Sequence, residues 1–150
     1  MKKRLWILVI AILLIWKMGA VLRLPPSYDD ILQTNWGIAL PRMAQLTEVY
    51  AADTGASFHG DGLRCHVYSY EYEEHVRMMA AWYPTEPETI FYPTVGAAAE
   101  AWLEELRVPK EWRPDYEKCC SWYASRSDNS ELVLFWDNGA KLLYVIESIL

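Results

Sequence analysis

The sequence predicts an α+β protein: a transmembrane or signal-anchor helix at about residues 5–24, then one small domain over residues 27–150 with a four- or five-stranded antiparallel sheet and two or three helices. Three observations lead there. Lys2, Lys3 and Arg4 precede an apolar run, as in bacterial export signals and signal anchors. Through the remainder, short alternating or apolar stretches recur between Gly, Pro, Asn and Asp clusters, the pattern of strands and turns. Between them, Val95, Ala98, Ala99, Trp102 and Leu106 repeat at helical spacing instead.

The first element is weighed by length. Residues 5–16 would make a helix of roughly 18 Å, short of a hydrocarbon core of about 30 Å. Carried on to Leu24, the stretch has 20 residues and the required span. Lys17 and Arg23 then fall toward its far end, where long cationic side chains snorkel to the interface, and Trp6 and Trp16 suit the interfacial belts. A cleavage site wants small residues at the last and third-last positions; Ala20 is small and Met18 is not. The expectation is an uncleaved anchor over residues 1–26, with the N-terminus cytoplasmic and the domain outside the cell membrane.

The domain is acidic. Five of the 14 Lys and Arg lie in the first 23 residues, leaving nine cations against 20 carboxylates, a formal charge of −11. Such a surface repels phosphate backbones, which argues against nucleic acid as a partner. Of the chain's eight Trp and ten Tyr, most are expected to be core or half-buried sheet residues.

In chain order, Ser27 and Asp30 form a capping box for a short helix carrying Ile31 and Leu32, closed by Gly37 and Pro41. Residues 46–53 read as a strand, 54–62 as a turn-rich connection, and 63–72 as a second strand returning antiparallel. Val76, Met79, Ala80 and Tyr83 predict a helix over 73–82 that Pro84 ends. Thr94 caps the helix of the apolar stripe, and Pro109 stops it. Residues 119–125, 131–136 and 141–149 are strands. The last two flank Asn138-Gly139, which predicts a type I′ turn facing Phe135 with Leu142, Leu134 with Leu143 and Val133 with Tyr144. That hairpin is apolar on both sides, which makes it central, with a helix covering one face.

Cys65, Cys119 and Cys120 leave two alternatives. Neighbours in a strand point to opposite faces, so either Cys119 or Cys120 can share a side with Cys65 and form a disulfide; otherwise all three are buried and reduced. For chemistry, the sharpest candidate is the loop at His59-Gly60-Asp61-Gly62, with His66 on the adjoining strand. Its imidazole and carboxylate supply two ligands where a metal needs three or four, and the glycines equally suit a plain hairpin connection. No metal site or cofactor is therefore expected, and no Gly-x-Ser-x-Gly elbow, phosphate loop or His-Glu-x-x-His helix occurs. The run Glu71, Glu73, Glu74 and His75 reads as solvated surface. Tyr68, Tyr70 and Tyr72 share one strand face with Arg64 and His66, either as a recognition surface or as cross-strand packing.

The order of Trp36-Gly37-Ile38-Ala39-Leu40-Pro41, the loop at His59, Trp82-Tyr83-Pro84 and a final hairpin ending Leu143-Tyr144-Val145-Ile146-Glu147 resembles small uncharacterised exported or membrane-anchored proteins of Gram-positive bacteria. The resemblance implies an α+β fold and an envelope location, and no activity. The functional expectation is a membrane-anchored extracytoplasmic domain that binds a protein or envelope ligand. The alternatives are an immunity or inhibitor protein against a basic toxin, and a small envelope hydrolase using His59 and Asp61.

Overall fold

In the computed structural model the described residues are 27–41, 46–55, 61–84 and 95–150; residues 1–26, where an anchor is expected, and His59 and Thr94 lie outside them. Helix α1 (Tyr28–Trp36) starts where Ser27 and Asp30 cap each other. The Asp30 carboxylate accepts from the Ser27 N–H at 3.0 Å, and Ser27 Oγ accepts from the Asp30 N–H at 3.3 Å. It ends at Gly37, whose φ of 69° is left-handed and costs a residue without Cβ little. The chain then folds back beneath its own first turn, with the Leu40 N–H donating to Asp29 Oδ1 at 2.9 Å.

The sheet is antiparallel throughout. Strands β1 (Leu46–Asp53), β2 (Gly62–Tyr70), β3 (Tyr83–Pro84), β4 (Cys120–Ser125), β5 (Glu131–Asp137) and β6 (Leu142–Ile149) lie in the order β1-β2-β6-β5-β4-β3. Five strands have six to nine residues, as the alternation predicts; the sixth is a two-residue edge at Tyr83 and Pro84, where a helix end was expected. The helix before it, α2 (Glu73–Arg77), is half as long as its pattern suggests. Trp82 Nε1–H donates to the Val76 carbonyl at 2.9 Å, satisfying a helix-end acceptor from outside the helix and letting the chain leave.

Helices cover both faces of the central hairpin rather than one. On the first face Leu132, Leu134, Leu143 and Val145 pack against Leu32 of α1, Ile38, Leu40 and Val76. On the second, Val133, Phe135, Tyr144 and Ile146 pack against Val95, Val108, and Ala99 and Leu103 of α3 (Ala97–Glu105). The fully buried position is Leu103, which the sequence pattern left off, while the expected Trp102 and Leu106 pack partly buried at the margin of the same cluster. The helix stops at Glu105, Arg107 takes a φ of 54°, and the Val108 N–H bonds back to the Leu103 carbonyl at 2.9 Å, which drives Val108 into the core. Among the described residues no helix is long and apolar enough to cross a membrane.

The register of the last hairpin and one of the two cysteine alternatives are also corrected. The β5–β6 connection is a four-residue loop at 138–141, not a type I′ turn. Asp137 Oδ1 accepts from the Ala140 N–H at 2.8 Å, and the left-handed residue is Lys141, with φ 56°. Phe135 consequently faces Tyr144, Leu134 faces Val145 and Val133 faces Ile146. The slip is by two residues, so every side chain keeps its predicted face. Secondly, Cys65 makes no disulfide with Cys119 or Cys120; all three are free. Cys119 does share a core face with Cys65, but register runs Cys65, Ile146, Val133, Tyr123 across the sheet. That separates β2 from β4 by three strand spacings, roughly 14 Å, where a disulfide requires Cα atoms within about 7 Å. Burial pushes both thiols up to about 12.

Candidate functional site

The polar residues that alternation assigns to one face of β2 do lie together, beneath α1. At one end of that face Asp53, Arg64 and Glu147 occupy opposed positions on β1, β2 and β6. Glu147 is 0% exposed. Its Oε1 accepts from Arg64 Nη1 at 3.0 Å and its Oε2 from the Trp36 indole of α1 at 2.8 Å. Arg64 also reaches Asp53 at 3.5 Å. Burial opposes its charge, but the bond to Glu147 and the two carboxylate charges prevail and hold the guanidinium above its ordinary pKa. Arg126, at the end of β4, sits 5.9 Å over the Trp36 ring.

One step along, His66 lies between an aromatic ring and a carboxylate. The Tyr28 ring of α1 stacks on it at 3.6 Å, and its Nδ1 is 2.6 Å from Glu48 Oε1 on β1. The Tyr28 hydroxyl is enclosed without a fully aligned hydrogen bond; burial first, then the Glu147 charge, raise its pKa well above that of a free phenol. Tyr68 is raised by the same burial and by Glu48. Two α1 aromatics thus clamp the charged end of the sheet.

An open groove of about 720 Å³ runs between this clamp and β1. Tyr28 and Tyr68 form its aromatic wall; Asp29, Asp30 and Glu48 make it acidic. Asp29 Oδ1 and Asp30 Oδ2 are fixed by the bonds that shape α1, so the rim is rigid as well as charged.

The recognition face expected of Tyr68, Tyr70 and Tyr72 is not free. Tyr68 and Tyr70 are 7% and 6% exposed, and Tyr70 Oη accepts from Trp136 Nε1 at 2.6 Å while donating to Asn138 Oδ1. Tyr72 is 53% exposed but lies beyond the end of β2, edge-on to His75. Cross-strand packing claimed the ladder because α1 covers that face.

Of the loop candidates, His59 lies outside the described residues, and Asp61 and His66 are not brought together. Asp61 lines a cleft with Arg64 and Arg126 at the start of β2, whereas His66 is four strand positions beyond Gly62, roughly 13 Å along, and engaged by Glu48. Among the described residues no three His, Cys, Asp or Glu side chains converge to hold a metal.

Sequence reading passed over Glu147, Glu48, Tyr28 and Trp36. Glu147 carried a usable signal: it continues the inward row of Leu143 and Val145, so a charge was due in the core and needed a cation opposite. Comparison with known proteins finds no matching family, no matching curated protein and no matching solved structure.

Proposed function

We propose that residues 27–150 form a non-catalytic binding domain held at the outer face of the cell membrane by the segment 1–26. The observation that carries it is a division within the sheet. Arg64 and Glu147 are engaged with each other and with Trp36 of α1, and His66 with Tyr28 of α1 and Glu48 of β1. Beside them, β1 is the outer strand, with Thr47, Glu48, Val49, Ala51 and Asp53 exposed. Polar groups locked this way set geometry, and an exposed strand next to them is where contact with another molecule remains available. The tether rests on the cationic and apolar pattern of the first 24 residues.

Intact protoplasts carrying photo-crosslinking residues at Val49 or Met78, both exposed, test it. The expected result is protease digestion of the domain from outside and a light-dependent adduct with another envelope protein. A domain protected from external protease overturns the location, and absence of adducts at both positions overturns binding. A second reading, an inhibitor or immunity protein, is favoured by the domain charge of −11, which complements a basic toxin. It requires tight association with a basic protein that weakens steeply with salt.

A further inference from the structure

Among the described residues, β1 hydrogen-bonds to β2 alone, so one side of its backbone has no strand partner. Sheet edges are ordinarily guarded by Lys, Pro or a bulge. β1 has a bulge at Val49, between Glu48 and Tyr50, but neither Lys nor Pro. Its only charges, Glu48 and Asp53, are negative and about half exposed. A second copy pairing along this edge would bring carboxylates onto carboxylates, which disfavours self-association; a basic strand meets the opposite field.

The acidic groove adjoins the same strand. Leu46 and Glu48 of β1 form one side, Asp29 and Asp30 of α1 the other, and the Tyr28 and Tyr68 rings the wall between. Carboxylates on a rim and aromatic rings within suit a lysine ammonium or an arginine guanidinium. Strand addition at an edge takes affinity from main-chain hydrogen bonds and specificity from pockets for alternate side chains. Edge and groove here supply both.

We propose that β1 accepts an extended basic segment of a partner protein as an added strand, and that a Lys or Arg of that segment enters the groove between β1 and α1. The proposal rests on the binding-domain reading and names its surface and partner chemistry. Strand addition requires the partner backbone amides; simple charge attraction does not.

The test uses the full chain in detergent and a fluorescent peptide alternating lysine and valine. The expected result is saturable binding with slowed hydrogen exchange over residues 46–53. N-methylation of the peptide amides weakens it at least about tenfold, since each blocked amide that faces β1 forfeits a main-chain bond. The double variant Asp29→Asn, Glu48→Gln, which keeps the hydrogen-bonding shapes and removes two charges, weakens it by about tenfold in low salt. Equal binding of the N-methylated peptide, protection away from β1, or a dimer of the chain that excludes the peptide overturns the proposal. No binding in this assay, with outer-face adducts still forming in protoplasts, overturns strand addition and leaves the binding-domain reading standing.

Discussion

Beneath α3 the sheet meets its cover with Val133, Phe135, Tyr144 and Ile146 against Ala99 and Leu103; beneath α1 the same strands offer Leu132, Leu134 and Val145, then at one end Glu147, paired with Arg64 of the neighbouring β2. The two faces are built by one alternation and hold their helices by different physics. Apolar burial is non-directional, so α3 is placed by shape, and its stripe could rotate onto Leu103 without loss. The Trp36 hydrogen bond to Glu147 and the Tyr28 stack on His66 are directional, and they fix where α1 sits along the sheet. A face placed by directional bonds is the better place to build a rigid groove, and the groove is found there.

The comparison breaks most sharply at Arg64. Replacing it with Leu leaves Glu147 buried without its cation, and the expected destabilisation is about 3–5 kcal/mol by chemical denaturation. The double change Arg64→Met, Glu147→Leu should cost much less, on the order of 1–2 kcal/mol, chiefly from the orphaned Trp36 N–H. A double variant as unstable as the single one would mean that the pair contributes net stability beyond its own desolvation. On the other face, Leu103→Ala should cost about 2–4 kcal/mol with no rescue by any second substitution in the charged row, because the loss there is burial and cavity alone.

How far the sequence exposed this structure depends on what decided each element. Ser27, Asp30 and Gly37 carry α1 in their own chemistry, and its limits were readable from them. The five long strands were readable because alternation survives small slips in pairing. What sequence could not supply was set by single side-chain bonds that no periodicity announces. The Trp82 indole on Val76 shortens α2, and Asp137 on Ala140 sets the hairpin loop. The site suffered the same way: His66 was singled out beside His59 and Asp61, but its partners are Tyr28 and Glu48, 38 and 18 residues away along the chain.

A smaller effect sharpens the account of α1. Ser27→Ala removes the cap and should destabilise the protein by about 1 kcal/mol. Asp30 reports on it directly: the bonds from Ser27 hold its carboxyl below the ordinary range. A depressed folded-state pKa stabilises at pH values above the unfolded one, and that contribution disappears as pH falls through the folded value. Carboxyl titration by NMR should place Asp30 below a typical aspartate in the wild type and return it upward in Ser27→Ala. An unchanged Asp30 in the variant would show that the box contributes nothing to anchoring the helix.

The smallest expected effect is none at all. Cys65 and Cys119 line the apolar face under α3 and act there as small hydrophobic side chains, so reductant should leave the melting temperature of the protein unchanged. Denaturation without reductant should release three titratable thiols, whereas the folded protein should react more slowly at Cys65 and Cys119, because burial holds both thiols protonated at neutral pH. A single thiol, or a melting temperature that falls with reductant, would require β2 and β4 to approach across two intervening strands. That would dismantle the register of the whole sheet, and with it the distinction between its two faces.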